Sequence, residues 1–89
     1  MAIVKRGHRT SEEFQPDKLK TSITAACLSV QTPLRQAESI ADSVCQNVSA
    51  WLEPRPEVTS ADLRRVAADS LTIQHPDAGY LYQQQPMTL

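Results

Sequence analysis

Residues 33–52 read PLRQAESIADSVCQNVSAWL and contain the most extended hydrophobic pattern of the chain. Their apolar positions recur mostly at steps of three and four residues, which is the spacing of one helical face. These positions are Leu34, Ala37, Ile40, Ala41, Val44, Val48, Trp51 and Leu52. Pro33 suits the opening of a helix, and the pair Pro54 and Pro56 ends it because two close prolines cannot continue a helix. The segment predicts one long amphipathic helix.

Three further helices are predicted on either side of this segment. The first begins at Pro16 and has an apolar face of Leu19, Ile23, Ala26, Cys27 and Val30. Thr59 or Ser60 is a suitable N-cap for the third, with Asp62 three residues after the Thr as an imperfect capping box. The core face of the third helix is Leu63, Val66, Ala67 and Leu71. A short fourth helix begins at His75-Pro76-Asp77, carries Tyr80 and Leu81, and ends near Gln83-Gln84-Gln85-Pro86.

The N-terminal segment predicts a β-hairpin. Residues 2–6 and about 10–14 read as two short strands around Gly7, a residue that accepts the positive φ of a hairpin turn. A hairpin this small needs an apolar surface to lie on. The predicted fold class is therefore α+β, a short N-terminal β-hairpin packed on a four-helix bundle. Residues 1–89 are expected to form a single domain.

Composition and charge exclude several classes of protein. Hydrophobic residues make up 40% and charged residues 21% of the chain, as in ordinary globular domains. No segment has the apolar length of a membrane span or a signal peptide, so a cytoplasmic location is expected. The net charge of −1 argues against nucleic-acid binding. Cys27 and Cys45 are expected to be reduced thiols, with a disulfide or metal site left as the alternative.

Catalytic motifs are missing from the sequence. The histidines are His8, in the predicted turn, and His75, at a predicted helix cap, so neither has the partners of a nucleophilic triad. Gly7 and Gly79 are too far apart to form a glycine-rich phosphate loop. No spacing of Cys and His matches a zinc site. The sequence predicts a protein without a catalytic site of its own.

A small group of cations is the more informative feature. Lys5 and Arg6 end the first predicted strand, and Lys18 lies in the first turn of the next helix. A hairpin folded over that helix would bring the three cations together, where a triphosphate could compensate their charge. Glu12 could then accept hydrogen bonds from a ribose or an adenine. Composition alone favours the plainer interpretation, a solvated charged hairpin with cross-strand pairs such as Lys5 with Glu12.

Four ordered motifs change that balance, because together they resemble the ATP-cone family. Ile3–Arg6 is similar to the family's opening strand, and Glu12–Leu19 to the acidic residue and helix start that follow it. Val58–Leu63 looks like the start of a later helix of the family, and His75–Tyr80 like its closing motif. The resemblance covers about residues 3–82. It implies a four-helix bundle covered by a small sheet.

The resemblance also implies a function and a set of site residues. ATP cones sense ATP or dATP allosterically, and they occur at the N-terminus of ribonucleotide reductase large subunits and in a zinc-containing repressor of reductase genes. Carried over position by position, Lys5, Arg6 and Lys18 would hold the phosphates, while Glu12 and Phe14-Gln15 would line the adenosine. The implied nucleotide-binding residues are Ile3, Lys5, Arg6, Glu12, Phe14, Gln15, Lys18, Leu19, Ser60 and Arg64.

The implied ligand is ATP or dATP, with or without Mg²⁺. The implied partner is a ribonucleotide reductase catalytic domain or subunit, or a second copy of the chain. Two departures from the family pattern stand in the sequence. Lys5-Arg6-Gly7-His8 replaces the usual Lys-Arg-Asp-Gly turn, and Gln83-Gln84-Gln85 stands where a Lys or Arg is common. They leave open an alternative function, a degenerate cone that acts as a nucleotide-independent protein-interaction module.

Overall fold

The computed structural model describes residues 3–5 and 12–84. The elements in chain order are β1 (Ile3–Lys5), β2 (Glu12–Glu13), α1 (Pro16–Ser29), α2 (Leu34–Leu52), β3 (Glu57–Thr59), α3 (Ser60–Gln74) and α4 (Pro76–Gln84). The four helices that the hydrophobic spacing predicts are therefore present in the described part of the chain. Pro16 is the first residue of α1, as expected of a proline at a helix start.

The predicted α+β class is wrong, because the described part of the chain is mostly helical. The helices contain 14, 19, 15 and 9 residues, whereas the strands contain only 3, 2 and 3. Strands this short make few backbone hydrogen bonds and present few side chains for burial. Within residues 13–84, every buried hydrophobic side chain except Val58 belongs to a helix. The core is therefore a helical core.

The predicted β-hairpin is also wrong as a description of the strands, because β1 has a partner strand on each side. β1 pairs antiparallel with β2 and, on its other side, parallel with β3, so that the strand order is β2-β1-β3. Strand β3 is too short for an alternation of apolar and polar residues that would predict it, because Val58 is its one buried residue. Gly7 and the rest of the predicted turn lie outside the described residues.

Helix α2 packs against α1 and α3, and α4 packs against α3 and α1. The buried residues of α2 are Ala37, Ile40, Ala41, Val44, Val48 and Leu52. All of them were predicted; of the other predicted positions, Leu34 is exposed and Trp51 is half-buried. Gly79 lets α4 approach α3 closely, because a Cβ at this position would lie 2.7 Å from the Thr72 Cα. Steric exclusion at that distance explains why a residue without a side chain stands in a helix interior.

The two ends of the bundle differ in how they are held. At one end, which we call the sheet end, the three strands lie beside the N-terminus of α3. The opposite end, the turn end, contains the turn at residues 30–33 and the α3–α4 junction at His75. There the Thr32 hydroxyl and His75 Nε2 are 2.8 Å apart and hydrogen-bonded.

Candidate functional site

The sheet end brings the end of β1 to the start of α3. The parallel register pairs Lys5 with Thr59, and Thr59 is the N-cap of α3. The Thr59 hydroxyl accepts a hydrogen bond from the Asp62 N–H at 3.1 Å, which confirms the predicted cap. The remaining N–H groups of the first turn give this end of the helix a partial positive charge. The carboxyl end of β1 therefore leads to a position that favours an anion.

Strand β2 adds Glu12 to the same edge of the sheet. The antiparallel register pairs Val4 with Glu12 and Ile3 with Glu13, so β2 begins where β1 ends. Thr59 consequently lies opposite Lys5, and Glu12 lies opposite Val4, one residue earlier on β1. Neighbouring strands are about 4.8 Å apart in any sheet. Arg6, which follows Lys5, lies outside the described residues.

The segment from Phe14 to Leu19 leaves the sheet at its other edge, because β2 runs away from the Lys5 edge. Gln15 is exposed and caps α1 through its carbonyl oxygen, which accepts hydrogen bonds from the N–H groups of Lys18 and Leu19. Lys18 is exposed, whereas Leu19 is fully buried in the core. The prediction that Lys18 joins Lys5 and Arg6 around phosphates remains a prediction.

Phe14 lies half-buried against the core and lines a groove of about 610 Å³. The other walls come from the start of α1, the end of α2 and the proline segment before β3: Pro16, Ser49, Leu52, Glu53, Pro54, Arg55 and Pro56. The sequence pattern identified the prolines only as the end of a helix. Their second role, as a wall facing Phe14, depends on the pairing of β3 with β1 and has no local signal.

Ser60 and Arg64 lie one turn apart on α3 and are both half-buried. Residues four apart share a helical face, so Arg64 extends the face that begins at the sheet end. Arg64 Nη2 donates a hydrogen bond to the Tyr82 carbonyl at 3.2 Å, and the guanidinium carbon lies 5.9 Å from the centre of the Tyr82 ring. Arg64 thus joins the start of α3 to the end of α4.

Several described side chains away from the sheet end have shifted pKa values, among them two cysteines and a lysine of α1 and α2. Burial raises the pKa of the free thiols of Cys27 and Cys45, so neither is activated as a thiolate. A 2.9 Å ion pair with Asp42 raises the pKa of Lys20. Residues 3–5 and 12–84 contain no group of His, Cys, Asp or Glu that could hold a metal ion. No helix in those ranges combines the length and the apolar character that crossing a bilayer requires.

A family model, the ATP cone domain, matches residues 1–83. The chain belongs to the ATP-cone family, and the predicted resemblance is confirmed. ATP cones are in general allosteric regulatory domains that bind ATP or dATP and carry out no catalysis themselves. Comparison with curated proteins and with solved structures gave no match.

Proposed function

We propose that residues 1–89 form one domain that binds ATP or dATP, in the cytoplasm, and transmits the identity of the nucleotide to a ribonucleotide reductase or a related system. The observation that carries the proposal is the edge of the sheet at which Lys5, Glu12 and the capped N-terminus of α3 meet. The phosphates, with or without Mg²⁺, lie at this edge. Lys5 and Arg6 contact them by charge-assisted hydrogen bonds, and Lys18 adds its positive charge from the start of α1, at the other edge of the sheet.

The adenosine is assigned to the side of β2 and the segment that follows it. Glu12 accepts hydrogen bonds from the nucleoside, and Phe14 with Gln15 lines it, while Ile3 and Leu19 support these residues. Gln15 is exposed and Phe14 lines an open groove, which supports the assignment. Ser60 and Arg64 face the phosphates from α3.

Calorimetric titration with ATP and with dATP tests the proposal. The double variant Lys5→Ala/Arg6→Ala is expected to bind at least about tenfold more weakly, because each lost charge-assisted hydrogen bond is worth about 1.5–3 kcal/mol. Arg35→Ala/Arg65→Ala is the matched control, since it removes the same charge from exposed positions on α2 and α3. Its affinity should stay within about twofold of the original.

Two results would contradict the proposal. The absence of heat at millimolar ATP and dATP would rule out nucleotide binding. Equal losses in the two double variants would show that Lys5 and Arg6 act only through net charge and that the phosphates lie elsewhere.

The second candidate is a nucleotide-independent interaction module with the same fold. Its supporting observation is the set of exposed apolar side chains, of which Leu28, Leu34 and Ile73 belong to elements that meet at the turn end and Tyr80 lies on α4. Such a module would bind a reductase subunit or a second copy of itself equally well with and without dATP. Size-exclusion chromatography at both conditions separates the candidates, because the sensing domain is expected to change its association when dATP is added.

A further inference from the structure

The contact between Arg64 and the last turn of α4 links the candidate nucleotide site to the C-terminal end of that helix. Arg64 is half-buried, and its Nη2 donates to the Tyr82 carbonyl oxygen at 3.2 Å. Tyr82 itself is fully buried, so its carbonyl is held in a fixed place. The contact joins residues that are 18 positions apart in the sequence.

The Tyr82 carbonyl is one that a helix cannot satisfy alone. Helix α4 ends at Gln84, and the last carbonyl groups of a helix have no N–H partner within it. A cation at this place also compensates the partial negative charge of the helix end. The last turn of α4 contains no basic residue of its own. Arg64 supplies the missing cation from the neighbouring helix.

Arg64 also lies on the face of α3 that begins at the sheet end. Ser60 stands one turn before it and follows Thr59, the residue paired with Lys5. A guanidinium presents several N–H groups in a planar fork, which suits simultaneous donation to two acceptors. Among the described residues, the Tyr82 carbonyl is the one hydrogen-bond acceptor that Arg64 contacts. As far as residues 3–5 and 12–84 are concerned, the other N–H groups of the fork meet no acceptor and can donate to a phosphate oxygen.

We propose that Arg64 is a positioning residue that couples nucleotide occupancy to the order of the last turn of α4. It keeps its hydrogen bond to the Tyr82 carbonyl while its remaining N–H groups donate to a phosphate, so the bound phosphate fixes the guanidinium and, through it, the helix end. This inference rests on the proposed function. It adds the direction of the effect: occupancy of the site orders α4 at residues 81–84.

Amide hydrogen exchange of the full chain, with and without saturating ATP, tests the coupling. ATP is expected to slow exchange in residues 81–84 about fivefold or more, the effect of a gain of about 1 kcal/mol in local stability. In Arg64→Ala, at ATP concentrations that saturate the variant, exchange in this turn should be fast and independent of ATP. Arg64→Lys keeps the charge without the fork, so it should retain more affinity than Arg64→Ala but little of the protection.

Arg65→Ala is the matched control, because Arg65 is exposed and its contact is an ion pair with Asp62 on its own helix at 3.7 Å. It should behave as the original chain does. Exchange in α1 reports whether each variant is folded. Full ATP-dependent protection in Arg64→Ala, or ATP binding without any change at residues 81–84, would overturn the coupling and leave the proposed function intact. Failure of the original chain to bind ATP would overturn both.

Discussion

The sheet end and the turn end of this bundle are built by different forces. At the sheet end, backbone pairing joins β1 to β3, segments that are more than fifty residues apart in the sequence. At the turn end, helices that follow one another pack through apolar side chains, and the Thr32–His75 hydrogen bond links the two connections. The described charged residues that are assigned to nucleotide binding belong to the first end. The comparison separates binding, which we propose at the sheet end, from stability, which comes from the helical core.

The largest expected effect tests whether stability and binding are separate. Leu71 is fully buried near the turn end, so Leu71→Ala removes apolar contacts and leaves a cavity. The free energy of unfolding should fall by about 3 kcal/mol. Ile73→Ala is the control, because Ile73 is 85% exposed and its truncation should cost less than about 0.5 kcal/mol. Urea denaturation measures both changes.

Calorimetry on the same two variants, under conditions where both are folded, completes the test. The affinity for ATP should stay within about twofold of the original. A fall in affinity in Leu71→Ala alone would show that packing at the turn end controls the sheet end, and the separation would be wrong.

The features that the sequence predicts belong mainly to the helices, whereas those that it does not predict depend on contacts between distant segments. The spacing of apolar residues in α2 predicts a helix because each contact depends on neighbours three or four positions away. The cap at Thr59 was predictable for the same reason. Strand β3 was not, since its three residues carry one buried side chain and its partner lies near the N-terminus. The contact of Arg64 with Tyr82 depends on how α3 and α4 cross, which no local pattern records. For the site, the sequence motifs identified candidate residues. Which of these residues lie close together depends on the register of the sheet, which the sequence does not show.

The second prediction concerns Tyr82, whose buried hydroxyl has no hydrogen-bond partner among the described residues. Burial raises the pKa of Tyr82 to about 12, and the positive charge of Arg64 offsets part of that rise. Because the pKa in the folded state exceeds the unfolded value of 10, the unfolded chain loses this proton first as the pH rises. The stability from Tyr82 is therefore complete below pH 10 and is lost between about pH 10 and pH 12.

The loss attributable to Tyr82 should be about 2–3 kcal/mol, at about 1.4 kcal/mol for each unit of pKa difference. It is measured as the difference between the original chain and Tyr82→Phe in denaturant titrations across this range. Tyr80→Phe is the control, because it removes the same hydroxyl from a side chain that is 66% exposed. Parallel profiles for the original chain and Tyr82→Phe would mean that the hydroxyl reaches water, and the core between the two ends would be less closed than described.

The smallest expected effect is a gain in stability at the turn end. Gln31 has a φ of 64°, the left-handed conformation that costs a residue with a Cβ about 1 kcal/mol. The N–H of the next residue, Thr32, donates to the Cys27 carbonyl at 3.0 Å, so the turn that ends α1 requires this conformation at Gln31. Gln31→Gly removes the steric cost but makes the unfolded chain more flexible, and the net gain should be about 0.5 kcal/mol.

Gln46→Gly makes the same substitution at an exposed position inside α2, where the expected change is a loss of about 1 kcal/mol. Urea denaturation measures the change in the free energy of unfolding of both variants. Changes of opposite sign would confirm that the conformation of the turn, rather than glycine itself, produces the gain. A loss at both positions would show that the Gln31 side chain stabilises the turn end more than its backbone conformation costs. In that case the turn end would depend on polar contacts as the sheet end does, and the contrast between the two ends would narrow.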